Sequence, residues 1–400
     1  MNAKELIHLE EHYGAHNYHP LDVVIQKGEG IWVYDVDGKK YLDCLSAYSA
    51  LNQGHRHPKI IQALIDQAQK VTLTSRAFHN DQFGLFCKEI CEFTGYEMVL
   101  PMNSGAEGVE TAIKVARKWA YKTKKIEEDK AEIITCAGNF HGRTVTIVGF
   151  STEPQYKECF GPFTPGFVTV PYGDVESVEK AIHPNTAGIL IEPIQGEGGI
   201  IVPPEGYLKK VAELCKKHNV LFIADEIQTG LGRTGKLFAC EYEDVKADMM
   251  ILGKALGGGC YPVSAVLASK AVMGVIQPGD HGSTFGGNPL AMAVAREALK
   301  VIQNEKLIEN AYRLGEYFMG KLREIKSQHV ELVRGKGLLI GVLLKKSARG
   351  ARRFCEALKE RGILCKETHE DVIRFAPPLV IEKKDIDWAV SLIDEVLRME

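Results

Sequence analysis

Apolar runs without alternation recur through the middle of the chain. They are EIITCA (132–137), AGILIEP (187–193), VLFIADE (220–226), DMMILGK (248–254) and VSAVLAS (263–269). A strand with one face in water alternates apolar and polar positions. Runs that do not alternate mark strands covered on both faces. Stretches with helical period lie between them, including Glu107 to Lys124 and Glu205 to His218. This order predicts an α/β fold with a mostly parallel central sheet between layers of helix.

The ends of the chain read differently. AKELIHLEEHYG suggests a short amphipathic helix ending at Gly14, and GIWVYDVDGKKYLDCL a hairpin around DVDG. PKIIQALIDQAQKV has helical period, with Pro58 suited to the first turn. From NPLAMAVAREALKVI (288–302) the pattern turns helical. Strands near LLIGVLL (338–344) and VIRFA (372–376) and a helix from about Lys383 follow. The expected organisation is a large domain over residues 46–290 and a smaller α/β domain over 291–400. Residues 1–45 form an N-terminal segment that joins the small domain.

Composition narrows the function classes. The formal net charge is −3 over 400 residues, so neither nucleic acid nor an anionic membrane is an expected partner. No run approaches the ~18 apolar residues of a membrane span. The N-terminal stretch carries acids and histidines rather than a secretory or Arg-rich transit pattern, which suggests a cytoplasmic protein. The ten cysteines are scattered with no CxxC pair, as expected of reduced thiols. Cys87 and Cys91 are helical neighbours that suit packing. GHRHP (His55, His57) reads as a turn before a helix, HExxH is absent, and no metal is expected.

Ligands of open α/β sheets bind outside the carboxyl ends of the strands. There the runs deliver Glu192, Asp225 and Lys254, with Glu226 and Gln228 just beyond Asp225. A partly desolvated lysine becomes a nucleophilic amine that condenses with an aldehyde. A carboxylate such as Asp225 suits a protonated pyridine nitrogen. Ser104, Gly105 and Ala106 open a strong helical pattern and offer free N–H groups to an anion. Gly257 to Gly259 would clear space for a flat ligand. In NFHGRT, Phe140 can stack on a ring and Arg143 can grip a carboxylate. Arg374 in RFAPPL ends an apolar strand and wants an anion, for which Glu197 in EPIQGEGG is a candidate. Glu192, before Pro193, reads as structural. A lysine acting without a cofactor, as in an amine-dependent aldolase, leaves Asp225 and the helix start at Ser104 unexplained.

Taken together, LPMNSGAEGVETAIK, GNFHGRT, IEPIQGEGG, LFIADEIQTGLGRTG, LGKALGGGCYPVSAV, HGSTFGGNPL and IRFAPPLVI resemble the class III, fold type I aminotransferases that use pyridoxal 5'-phosphate (PLP). The resemblance runs essentially end to end. It implies that Lys254 carries the cofactor and shuttles the proton. Asp225 would hold the pyridine nitrogen, Gln228 the phenolic oxygen, and Phe140 one face of the ring, with His141 beside it. Ser104, Gly105 and Ala106 would hold the phosphate, joined by Ser283 and Thr284 across a homodimer interface.

YGAHNYHPL and LSAYSALNQGHRHPKI point to the members that use ornithine. The implied substrates are L-ornithine, as donor of its δ-amine, and 2-oxoglutarate. Arg143 and Tyr18 would hold ornithine's α-end, and Tyr48 would exclude binding through the α-amine. Glu197 would cover Arg374 while the donor is bound and release it for the oxo acid. Donors left open are N-acetylornithine, N-succinylornithine and 4-aminobutyrate. His141 stands where some ornithine-using members carry tryptophan and where acetylornithine-using members commonly carry histidine. Ser104 replaces a threonine of some relatives and keeps the hydroxyl.

Overall fold

The structure is a computed structural model that describes residues 1–399. Its central sheet has seven strands. Their order is Met98–Met102, Ser264–Ala268, Met249–Leu252, Leu221–Asp225, Thr186–Ile191, Glu132–Cys136 and Phe167–Val170. Ser264–Ala268 runs antiparallel to both neighbours, and the other pairs are parallel. The mostly parallel sheet is therefore present, with one reversed strand among the expected runs.

The absence of alternation has its expected cause. Ile133, Leu190, Ile223 and Ile251 pack on one face, with Val109, Ile113 and Ala116 of the helix Gly105–Trp119. Their sequence neighbours Ile134, Ile189 and Phe222 pack on the other, with Leu208, Val211 and Cys215 of the helix Tyr207–His218. Thr186–Ile191, Leu221–Asp225 and Met249–Leu252 are thus buried at every residue, which fixes their register against both helix layers.

Two four-stranded sheets flank this core. In the first, Ile25–Glu29, Trp32–Asp35 and Lys40–Asp43 form an antiparallel meander, and Ile363–Leu364 joins parallel to Lys40–Asp43. The DVDG turn is organised by Asp35, whose Oδ1 accepts the N–H groups of Asp37 and Lys39 at 3.0 and 2.8 Å. The second sheet is antiparallel, in the order Val330–Lys336, Leu339–Leu344, Val372–Phe375 and Lys366–Thr368. It carries Arg374 toward the central sheet.

Helix ends follow local chemistry. Pro58 and Pro289 sit in first turns, and Asn288 caps the helix Pro289–Asn304 through Ala291 N. The N-terminal helix Ala3–Tyr13 has a capping box between Asn2 and Glu5 but buries no residue. Gly14 ends it with extended backbone rather than a left-handed cap. Among the described residues no helix is long and apolar enough to cross a membrane.

One local expectation is corrected. The run ending in Lys254 is not strand to its end. The strand stops at Leu252, and Lys254 opens a 3-10 turn, Lys254–Gly257, with φ of +43°. An L-residue in the left-handed region is strained, and such strain concentrates at functional sites.

Candidate active site

Three consecutive strand ends build the floor of a cleft. Glu192 follows Thr186–Ile191, Asp225 ends Leu221–Asp225, and Lys254 stands just past Met249–Leu252. The cleft has a volume of about 200 Å³ and is lined by Gly105, Ala106, Phe140, His141, Gln228 and those three residues, among others. The Lys254 amine has no hydrogen-bond partner among the described residues. Burial lowers its pKa against the opposing pull of Glu197 and Asp225. That favours the neutral, nucleophilic amine.

Asp225 is fixed from below. Its Oδ2 meets His141 Nδ1 at 2.6 Å, and its Oδ1 accepts Ile227 N at 3.1 Å. Burial alone would discharge His141, but the bond to Asp225 and the charge of Asp225 outweigh it and raise the His141 pKa. His141 therefore acts on the cleft through Asp225. Its Nε2 is buried without a partner.

Glu192 has a structural role and lines the cleft as well. Its two oxygens accept Phe140 N at 2.8 Å and Gly196 N at 3.1 Å, tying the loop that carries Phe140 to the loop that carries Glu197. Burial pushes its carboxyl up to about 7, although His141 and the two N–H groups pull it down. The sequence signal for it was only its place at a strand end.

The anion cradle differs in one detail from the expected one. Ser104 N donates to Glu107 Oε2 at 2.6 Å, and Ser104 Oγ accepts Glu107 N at 3.2 Å. This capping box occupies the Ser104 N–H. Gly105 and Ala106 line the cleft at the start of a 15-residue helix, with N–H groups that have no intrahelical partner. Ser104 and Gly105 also line an adjoining cleft that shares Lys254. In this chain Ser283 bonds Asn103 at 2.9 Å, and neither Ser283 nor Thr284 lines either cleft.

Gly259 lines the adjoining cleft that shares Lys254, and the glycines after Lys254 also serve packing. A Cβ on Gly258 would meet Ile60 at 2.9 Å, and one on Gly259 would meet Leu51 at 2.3 Å. They let the turn pack on its own chain. Gly196 makes room for the Gln228 side chain, since a Cβ there would fall 1.8 Å from Gln228 Oε1.

The charged wall lies opposite. Arg374 is 1% exposed and donates to Glu197 through both terminal nitrogens, at 2.7 and 2.9 Å. Gln228 Nε2 donates to the same carboxylate at 3.1 Å. Burial would raise the Glu197 carboxyl, but Arg374 prevails and holds it down to about 2. The Arg374 guanidinium carbon lies 5.3 Å from the ring centre of Tyr48, which sits on a left-handed stretch with φ of +59°. Tyr18 is exposed, makes no side-chain hydrogen bond among the described residues, and lies within electrostatic reach of Tyr48. Arg143 has no acidic partner among the described residues. It stacks on Tyr156, whose ring centre is 4.0 Å from the guanidinium carbon. Tyr156 escaped sequence reasoning because it sits on a four-residue helix, Pro154–Lys157, too short to show a pattern.

The donor set suits a flat, anionic, aldehyde-bearing ring. A buried amine and a fixed carboxylate share the cleft with an aromatic ring and the free N–H groups of a helix start. The Gln228 Oε1 atom is buried and unsatisfied. The model of the family described as aminotransferase class-III matches residues 13–397.

The chain belongs to the class-III aminotransferases.

Relatives sharpen the placement of this aminotransferase. It is 60% identical over 394 residues to the ornithine aminotransferase of Brevibacillus brevis, covering 98% of each chain. It is 59% identical to that of Bacillus subtilis, covering 99% of this chain and 98% of the other. Its fold matches the ornithine aminotransferase of Toxoplasma gondii with a TM-score of 0.98 at 47% identity, covering 99% of this chain and 94% of that one. That structure is described as holding PLP at partial occupancy in its active site. It also matches the acetylornithine aminotransferase of Elizabethkingia anophelis, with a TM-score of 0.90 at 52% identity and 99% coverage of both.

Proposed function

We propose that this enzyme moves the δ-amino group of L-ornithine to 2-oxoglutarate, giving glutamate 5-semialdehyde and glutamate in two alternating half-reactions with PLP. When bound, PLP supplies the aldehyde that takes up the amine and a ring that holds the electron pair left at the donor carbon. Lys254 would hold the cofactor covalently and, once released, take the proton from the δ-carbon of ornithine through Nζ. Asp225, steadied by His141, would keep the pyridine nitrogen protonated. Gly105 and Ala106 would bind the phosphate through their N–H groups, Phe140 would cover the ring, and Gln228 would face its phenolic oxygen. Ser104 would shape the cradle as the helix cap. Residues Ser283 and Thr284 lie off their own cleft, in keeping with a homodimer in which they complete a neighbouring phosphate site. We place this enzyme in the cytoplasm.

The observation that carries the reading is the closed Glu197–Arg374 pair beside an uncommitted Arg143. 2-Oxoglutarate presents two carboxylates and suits both arginines. Ornithine has none beside its reacting carbon, so an open Arg374 would face it unpaired at high cost. With Glu197 on Arg374, one arginine remains for ornithine's distant carboxylate, with Tyr18 at its polar end and Tyr48 to exclude binding through the α-amine.

N-Acetylornithine is the second reading, favoured by His141 and by the likeness to the Elizabethkingia anophelis structure. Initial rates with ornithine, N-acetylornithine and 4-aminobutyrate, at fixed 2-oxoglutarate, separate the two. Ornithine should give the highest kcat/KM. Faster turnover of N-acetylornithine would sink the first reading.

A further inference from the structure

We propose that Tyr156 is a positioning residue that presents Arg143 to the substrate's carboxylate. The inference rests on the aminotransferase reading above and assigns one more residue to its specificity.

Arg374 and Arg143, the two candidate carboxylate-binding arginines, are held in different ways. Two hydrogen bonds to Glu197 lock Arg374. Arg143 has no such lock. Its guanidinium carbon lies 4.0 Å from the Tyr156 ring centre and 5.6 Å from that of Phe140. The two rings meet edge to face, with centres 6.0 Å apart and planes at 78°, and so form a corner around the cation. An arginine has several rotatable bonds, and freezing them on binding weakens affinity. Stacking on aromatic faces restricts them beforehand and leaves the N–H edge free for a carboxylate.

The support under Tyr156 is itself anchored. Lys157 donates to Gly149 O at 2.9 Å, and Gly138 N donates to Thr152 Oγ1 at 2.8 Å. The second bond ties the Tyr156 turn to the loop that carries Phe140 and Arg143. Burial raises the Tyr156 pKa, as does the charge of Glu197, while Arg143 opposes both. The ring thus stays neutral and keeps its electron-rich face toward the cation.

Glutarate, an unreactive dicarboxylate, is the probe, titrated into the holoenzyme by calorimetry. Tyr156→Leu, which keeps bulk but loses the ring, should weaken glutarate binding roughly tenfold. Tyr156→Phe should stay within about twofold of the unaltered enzyme, because it keeps the face. In an Arg143→Ala background, Tyr156→Leu should cause no further loss. With 2-oxoglutarate, the Leu variant should raise KM and leave kcat nearly unchanged. Equal glutarate binding by the Leu variant and the unaltered enzyme would overturn the proposal. So would a Phe variant as weak as Leu, an undiminished loss in the Arg143→Ala background, or no glutarate binding by the unaltered enzyme. Failure of ornithine as a donor alongside the expected glutarate series would instead remove the donor assignment and leave Tyr156 in place.

Discussion

Glu197 and Arg374 meet through two parallel hydrogen bonds of 2.7 and 2.9 Å, and the arginine is fully enclosed. Breaking one side of such a pair leaves a buried cation, at about 3 kcal/mol or more. Glu197→Gln should therefore slow the ornithine half-reaction by at least roughly tenfold. The half-reaction of L-glutamate, whose carboxylate can itself satisfy Arg374, should be unchanged or faster. Stopped-flow absorbance of each half-reaction separates these outcomes. Equal slowing of both would show that the pair is structural only.

Acid should open the same pair late. Glu197 titrates near 2 in the fold, below its ordinary 4.5. A depressed carboxyl contributes stability that is complete above the ordinary value and is lost as pH falls toward the folded one. The pair should thus persist through the neutral range and weaken only between about 4.5 and 2.

Lys254 has no hydrogen-bond partner among the described residues, and burial lowers the pKa of its amine. Lys254→Ala should lose essentially all turnover, on the order of a thousandfold or more. It should remain folded, since the substitution removes a costly buried amine. Absorbance after PLP addition gives a readout independent of rate. The covalent cofactor band should be missing, and full activity in this variant would remove Lys254 from the mechanism.

The strand runs were legible in the sequence because the central strands are buried on both faces. The strands missed were Ile25–Glu29, Met98–Met102, Phe167–Val170, Val330–Lys336, Ile363–Leu364 and Lys366–Thr368, each at an end of its sheet. Edge strands bury less and carry residues that central strands refuse, such as Pro101. In the site, Asp225 and Lys254 were legible from chain position alone. The work of Glu192 was not, because Phe140 N lies 52 residues away and only the fold brings it near. The packing role of Gly258 and Gly259 was hidden for the same reason. Their neighbours Ile60 and Leu51 are distant in sequence.

Glu192 should leave a signature at the opposite end of the pH scale. Its carboxyl titrates near 7 in the fold, against an ordinary 4.5. A raised pKa contributes stability that is complete below the ordinary value and is lost as pH rises through the folded one. The protein should therefore lose a few kcal/mol from this group between about 4.5 and 7. Glu192→Gln cannot ionise, so denaturant unfolding at about pH 5 and about pH 8 should show a flatter profile. The amide still accepts one of the two N–H groups but faces the other with its own NH2. A uniform loss at both pH values should accompany the flattening. An unchanged slope would show that Glu192 stays ionised throughout.

Gly259 tests whether the glycines after Lys254 serve packing or the ligand. A Cβ there would lie 2.3 Å from Leu51 Cδ2, and the backbone φ is +71°. Overlap and left-handed strain should together make Gly259→Ala destabilising by about 2 kcal/mol. Leu51 is itself buried, so Leu51→Ala alone leaves a cavity and also destabilises. In the double variant the new methyl enters that cavity, and the combined loss should fall short of the sum of the two. The strain at φ of +71° remains, so recovery is partial. PLP affinity should stay within about threefold throughout, because the crowded atoms belong to Leu51. Unaltered thermal stability with a large loss of PLP affinity would return these glycines to the ligand.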